Sequence, residues 1–367
     1  MPISRRQGLV ATMGLTLALL LAPLSSQAQQ FAPMKPKVGF VFLGPIGDLG
    51  WTWTHNQGRL KLAKETGVQT VAVENVPEAD KARIQSTIDR LIERGYNVIV
   101  GNAFGFSDAF LAAAKAHPNV VFLNGGGNSS APNLESFNGR TYEPMYLAGM
   151  VAGKETKTNK LGFVGANPIP LVLWDINAFA LGAQKVNPKA VVTVSFTGTW
   201  FDPVKEQAAA KALIEQGVDV IGQHQDTPGV QIAAEQAGIK SIGFNADMSK
   251  SAPHANLTSE QFDWGVYLVK TINELKAGTW KSAGNSFMGI SDGVVDLSPI
   301  RSQVDAAVIK QVMAVRQQIV DKKLNVFEGP IYDQSGKEVV ASGTHPTDAQ
   351  LWQMSYLVKG VNGALPK

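Results

Sequence analysis

Asp48, Trp51, Trp53 and His55 are crowded into one short stretch, GPIGDLGWTWTHNQG (44–58), between the apolar run KVGFVFL and the amphipathic RLKLAKETG. An acid and two indoles at a strand-to-helix handover have the chemistry to hold a flat heterocycle. The rings stack on its faces, and the carboxylate accepts hydrogen bonds from its N–H edge. Comparable stretches recur along the chain: NAFGF (102–106), NGGGN (124–128), NPIP (167–170), TGTWFDP (197–203), QHQDTPG (223–229) and NADMS (245–249). They bring aromatics, amides and a few acids, without a phosphate cradle, a metal cluster or a basic clamp. A planar, neutral, nitrogen-rich ligand suits this inventory and an anion does not.

Eight residues are the candidate ligand contacts: Asp48, Trp51, Asn102, Phe104, Asn124, Trp200, Asp226 and Asp247. Several have a structural alternative. Asp48 is also a favourable helix N-cap, as is Asp202, which precedes Pro203 at an early helical position. Asp108 reads as a helix-start residue, Trp53 as packing and Trp174, in mid-helix, as core. One of His224, Gln225 and Asp226 is expected to face the cleft, and Asn124 with Gly125 to Gly127 either touches ligand or eases a chain crossing.

The elements that must position these residues come in two similar copies. KVGFVFLGPIGDLGW (37–51) aligns with KLGFVGANPIPLVLW (160–174), and LIERGYNVIVGN (91–102) with LIEQGVDVIGQH (213–224), offsets far longer than a solenoid repeat. In the first copy helices are expected near 55–66, 79–94 and 107–116; in the second, near 171–185, 204–216 and 229–237. Near-continuous β-branched strands alternate with these helices, which predicts α/β architecture with two doubly wound parallel-sheet lobes covered on both faces. Several chain crossings make a multi-strand hinge between them. The first lobe is expected to hold residues 36–140 plus about 254–284, and the second 141–253 plus about 285–345. Residues 346–367 are expected to form a C-terminal helix, and SFMGISDGVVDLS and VFEGPIYDQSGKEVV read as antiparallel additions. In open parallel sheets ligands gather beyond the carboxyl ends of the strands, which is where the candidate residues fall.

The first 28 residues combine Arg5 and Arg6, an apolar run from Leu9 to about Leu21 and a Ser26-Gln27-Ala28 ending, the pattern of a cleavable export signal. Its removal leaves a net charge near +1, from +3 for the whole chain, so charge gives no argument for nucleic acid. The chain has no cysteine, which excludes a lipid-modified cysteine after the signal and a disulfide scaffold. Five scattered histidines (55, 117, 224, 254, 345) include no HExxH pair, and no calcium-holding aspartate cluster is present. GISDG (289–293) matches G-x-S-x-G by its letters, but it lies at the Asp292-Gly293 turn of an antiparallel addition and not at a strand-to-helix elbow. Catalysis is therefore not expected. No GxGxxG follows the first strand, so a dinucleotide fold lacks support. A sugar-type transcription regulator would carry a helix-turn-helix where the export signal stands.

The stretches GPIGDLGW…HNQG, LIERGYNVIVGNAFGFSDAF, SFNGRTYEPMYLAGMVAG, FTGTWFDPVKEQAAAKALIEQGVDVIGQH, SIGFNADMS and GPIYDQSGKEV together resemble the basic membrane protein family of ABC-transporter substrate-binding proteins, over about residues 36 to 345. The resemblance implies a type I periplasmic binding protein fold, no cofactor, and a purine base or nucleoside as ligand. It also implies an inner-membrane ABC permease as partner, with a soluble, monomeric mature protein in the periplasm. It matches Asp48 to the family's first-loop acid, Trp51 to the stacking aromatic, and Asn102 to Phe104 to the loop after the third strand. Trp200, Phe201 and Asp202 match its aromatic-acid loop, and Asp247 its late acid. Where nucleoside binders of the family usually have Phe-Asn, this chain has Trp51-Thr52, so the resemblance favours a free base such as adenine over a purine nucleoside. A chemoreceptor partner or a purine-processing enzyme is the lesser alternative.

Overall fold

The computed structural model describes residues 31–365, besides Met1; the expected export signal lies outside this range. The first copy of the repeat runs β1 (Val38–Val41), α1 (Trp51–Thr66), β2 (Thr70–Val73), α2 (Lys81–Glu93), β3 (Val98–Gly101), α3 (Ser107–Ala116), β4 (Val121–Gly125) and β5 (Leu134–Gly139). β1, β3 and β4 are buried throughout, because helices cover both faces of a parallel sheet. Asp80 caps α2 by accepting from the Arg83 N–H, and Ile84, Ile88 and Leu91 bury one stripe of that helix.

The second copy runs α4 (Tyr142–Glu155), β6 (Lys160–Gly165), α5 (Pro170–Val186), β7 (Val191–Phe196), α6 (Pro203–Glu215), β8 (Val220–His224), α7 (Gly229–Ala237) and β9 (Lys240–Gly243). Pro203 sits in the first turn of α6 and the Asp202 carboxylate accepts from the Val204 and Lys205 N–H groups. Asp202 is thus a cap. The chain continues through β10 (Asn256–Phe262), α8 (Trp264–Ala277), β11 (Asn285–Met288), β12 (Val295–Leu297), α9 (Ala306–Val320), β13 (Ile331–Tyr332), β14 (Glu338–Val340), α10 (Asp348–Leu351) and β15 (Val361–Asn362).

Among the described residues these strands form a six-stranded sheet ordered β11-β5-β4-β3-β1-β2, a seven-stranded sheet ordered β12-β10-β9-β8-β6-β7-β15, and the hairpin β13-β14. The two large sheets are the cores of two lobes, and the α/β expectation holds. The chain crosses between them at Gly139–Tyr142, Phe262–Trp264 and Met288–Val295. Three connections permit rotation of one lobe against the other while limiting translation.

Four expectations need correction. β10 belongs to the second sheet, parallel to β9 and antiparallel to β12, whereas 254–284 was expected in the first lobe. β11 belongs to the first sheet, and it pairs parallel to β5, whereas 285–345 was expected in the second lobe with an antiparallel strand there. β10, buried over most of its length, carries no label for its sheet, and only the crossing at Asp263 decides; β11 is a half-buried edge strand whose partner is set by the return crossing before it. The expected helix over 346–367 is confined to α10, after which β15 joins the second sheet beside β7. The Asn177 side chain explains this ending: it donates to the Tyr356 carbonyl at 3.0 Å and accepts from the Val358 N–H at 2.9 Å, holding the tail extended. Finally, α1 begins at Trp51, four residues before the expected start, which makes Trp51, Trp53 and His55 helical.

Candidate functional site

The strand-end loops of the two sheets meet around a cavity, the place where small-molecule sites of open parallel sheets are found. Its apolar wall comes from Trp51, Phe104, Trp174, Trp200, Phe244 and Phe262. Its polar side chains are Glu78, Asn102, Asn138, Thr141, His224 and Asp226, and no Lys or Arg among the described residues lines it.

Trp51 reaches this cavity because it opens α1. The Asp48 carboxylate sits across the first turn, its Oδ1 accepting from the Gly50 and Trp53 N–H groups and its Oδ2 from Thr52 N–H, all at 2.9 Å. Negative charge at a helix N-terminus is favourable; burial nevertheless raises the Asp48 carboxyl above its ordinary range, against the pull of those amides. The Trp51 indole donates to the Asn102 carbonyl at 2.5 Å, which pins its plane. Behind it stands an aromatic stack: Trp51 meets His55, Phe262 and Trp264 edge-on, at centroid distances of 4.4, 5.4 and 5.6 Å. Trp264 stacks on both Phe262 and His55. Complete burial pushes the His55 imidazole down to about 3, so it is a neutral packing group at physiological pH.

The lobes meet across the cavity. A Cβ on Gly50, at the start of α1, would lie 2.6 Å from the carbonyl carbon and 2.7 Å from the Cα of Asp226, in the loop after β8. The Trp200 indole of the second lobe donates to Glu78 Oε1 of the first at 3.3 Å, and the other oxygen of that carboxylate accepts from Gly105 N–H at 2.9 Å. This is a closed arrangement. The Asp226 carboxylate, buried at the junction, accepts from Asn245 Nδ2 at 3.2 Å. Burial first, and then the Asp48 charge across the cleft, raise its carboxyl well above the ordinary range.

On the far side, His224 Nδ1 lies 2.8 Å from Asp175 Oδ2 and its ring stacks on Phe244 at 4.0 Å. Asp175 also accepts from the Thr141 hydroxyl at 2.6 Å, and that hydroxyl oxygen accepts from the Trp174 indole at 2.9 Å. Burial raises the Asp175 carboxyl, and its bonds to His224 and Thr141 work against that. Asn102 accepts from Leu43 N–H at 2.8 Å with its oxygen, while its Nδ2 finds no acceptor among the described residues. The site therefore offers stacking faces, a free amide donor, a histidine and two acids. Among the described residues no group of three or more His, Asp or Glu could hold a metal ion.

Of the eight candidate residues, Trp51, Asn102, Phe104, Trp200 and Asp226 line the cavity. Asp48, Asn124 and Asp247 do not. Asp48 is occupied by the α1 amides, Asn124 is buried and donates to the Ala103 carbonyl, and Asp247 is exposed and folds back on Ser249 N–H. Of the three neighbours after β8, both His224 and Asp226 face the cavity, while Gln225 donates to Thr197. Trp174, read as core, is fully buried in α5 and yet forms cavity wall. Glu78, Phe244 and Phe262 were missed. Glu78 and Phe244 follow the ends of β2 and β9, where the strand-end rule looks, whereas Phe262 is the last residue of β10.

The comparisons with known proteins agree with this geometry. The model of the Bmp family, described as ABC transporter substrate-binding protein PnrA-like, matches residues 35–329. A purine-binding protein of Brucella abortus is 39% identical over 338 residues, covering 92% of this chain and 95% of that protein. A putative ABC transporter glucose-binding protein of Haloferax volcanii is 35% identical over 328 residues, 89% of this chain and 80% of that one. Among solved structures, an ABC transporter solute-binding protein from Conexibacter woesei superposes with a TM-score of 0.66 at 23% identity, covering 79% of this chain and 98% of that chain. The chain belongs to the Bmp family of ABC-transporter substrate-binding proteins, and it is a binding protein and not an enzyme.

Proposed function

We propose that this Bmp-family substrate-binding protein captures a free purine base, adenine before the others, by stacking it on Trp51 and closing the second lobe over it. The observation that carries this reading is the cavity itself: six aromatic side chains, two acids and no lysine or arginine among the described lining residues. Nucleotides are disfavoured because nothing there would neutralise a phosphate. A hexose needs partners for a ring of hydroxyls, and several of the polar side chains are already engaged, Thr141 with Trp174 and Asp175, and Asn138 with the Gly127 carbonyl. A planar base needs stacking faces and a few edge contacts, which this wall supplies. The purine-binding Brucella relative supports the same reading.

The proposed sequence is capture on the first lobe, closure through the Gly50–Asp226 and Glu78–Trp200 contacts, and presentation of the closed form to a membrane permease. Closure is favoured only through contacts that the ligand makes in the closed state. The protein would act in the periplasm after export, as a soluble monomer; among the described residues no helix is long and apolar enough to cross a membrane. Titration calorimetry with adenine, hypoxanthine, adenosine and glucose tests the proposal. Adenine binding tightest supports it. Adenosine binding tighter than adenine transfers the assignment to the nucleoside, and glucose alone binding overturns the purine assignment.

A further inference from the structure

The chain of hydrogen bonds behind the cavity has a direction, and the direction fixes what the ligand meets. It begins at the Trp174 indole, which can only donate. Thr141 Oγ1 accepts that N–H at 2.9 Å, so its own proton goes to Asp175 Oδ1 at 2.6 Å. Asp175 is fully buried and does not line the cavity. Its second oxygen faces His224 Nδ1 at 2.8 Å. Beside it lies a second buried acid, Glu260, whose carboxylate has a single donor, the Asn245 N–H at 3.1 Å. Without counting His224, the Thr141 donor to Asp175 is the closer one at 2.6 Å, and Glu260 Oε1 has no partner among the described residues, so of the two neighbours Asp175 is the one that holds a negative charge. A carboxylate accepts only, which places the imidazole proton on Nδ1.

We infer that Asp175 acts as a positioning residue that locks His224 into the Nδ1–H tautomer. His224 Nε2 is then a bare acceptor at the cavity wall that selects a 6-aminopurine over a 6-oxopurine. Among the described residues Nε2 has no partner, while the ring itself lines the cavity. An exocyclic amine donates to it; a carbonyl at the same position meets it lone pair to lone pair. The inference rests on the purine reading above and adds to it the residue that tells two purines apart.

Asp175→Asn tests it because the change is isosteric and reverses the direction of the last link. The Thr141 hydroxyl still donates to the amide oxygen, so the amide NH2 faces Nδ1 and donates to it. The imidazole proton then moves to Nε2, which becomes a donor. Calorimetric Kd values for adenine and hypoxanthine are compared in the wild type, in Asp175→Asn and in His224→Gln. A mispaired buried group is worth roughly 10- to 100-fold. The wild type should favour adenine by about that factor, and Asp175→Asn should move the ratio toward hypoxanthine by as much. In His224→Gln the amide can turn either face to the ligand, so the ratio should fall toward one. The ¹⁵N spectrum of histidine-labelled protein supplies a readout that a purely structural Asp175 would not move: His224 protonated at Nδ1 in the wild type and at Nε2 in Asp175→Asn. An unchanged ratio in both variants, or a wild-type His224 protonated at Nε2, overturns the inference and leaves purine binding standing. A wild type that binds neither base removes the purine reading and this inference with it.

Discussion

Gly50→Ala should lock the molecule toward its open form. The added methyl would lie 2.6 Å from the Asp226 carbonyl carbon and 2.7 Å from its Cα, and nearer still to the carbonyl oxygen, where ordinary contact begins at 3.4 Å. The gap to be made up is therefore about 1 Å. Within the first lobe little can yield, because the Asp48 carboxylate ties the Gly50, Thr52 and Trp53 amides into one rigid turn. The second lobe can retreat as a body, since the contact crosses the cleft. Overpacking of this kind costs about 1–3 kcal/mol when it is relieved by movement. Charged to the closed state alone, that cost lowers the apparent affinity by about 5- to 150-fold, since ligand binding must also drive closure. Calorimetry with adenine reads the affinity, and small-angle scattering of the liganded protein reads the compaction. The unliganded variant should melt within about 2 °C of the wild type, because neither lobe's core is touched. An adenine Kd within threefold of wild type would refute the reasoning. So would a large fall in the unliganded melting temperature, which would put the strain inside a lobe instead of between them.

Three further outcomes are expected. Trp51→Ala should weaken adenine binding by about 10- to 100-fold in calorimetry, the usual range for one base–aromatic stack, and Trp51→Phe by less, since only the indole bond to the Asn102 carbonyl is lost. Glu206, fully buried with Thr227 donating to it, is pushed up to about 7 by burial. Its folded value lies above its unfolded one, so its share of stability is present below about pH 4.5 and is lost as pH rises through 7. Chemical denaturation from pH 5 to 8 should show a decline of about 2 kcal/mol that is absent in Glu206→Gln. Asp247→Ala should leave adenine affinity within twofold, because that side chain is exposed outside the cavity; a loss beyond tenfold would return Asp247 to the site.

The repeat and the strand-end rule together made much of this legible. Two alternating copies gave the two lobes, and the loops after β1, β3, β7 and β8 supplied Trp51, Asn102, Phe104, Trp200 and Asp226. What failed did so for physical reasons. Asp48 and Asp226 are both aspartates at strand ends, but three N–H groups converge on one and not on the other, and that difference lies in backbone direction. Trp174 is mid-helix by pattern, and only the close approach of α5 to the hinge residue Thr141 turns its buried ring into cavity wall. Phe262 was out of reach once β10 had been assigned to the other lobe, because pairing partners are long-range facts and a doubly buried strand looks alike in either sheet.

The closed form is held by few contacts of its own. Across the cavity the protein contributes the Trp200–Glu78 bond, near the long end for an N–H···O bond at 3.3 Å, and the packing of Gly50 on Asp226. Against these stand charges and polar groups that closure removes from water. Asp226 is brought beside Asp48, two acids whose mutual repulsion raises Asp226 further, and Asn102 Nδ2 is buried without an acceptor among the described residues. An unpaired buried group such as Asn102 Nδ2 costs about 1–3 kcal/mol, comparable to what the cross-cleft contacts return, and the crowding of the two acids adds to it. A base that accepts from Asn102, donates toward Asp226 and stacks on Trp51 reverses all of these terms at once. On the purine reading proposed above, ligand specificity and closure share one origin: the groups that would recognise the base are those that oppose closure without it, so a poorly matched ligand should bind weakly and also leave the lobes apart.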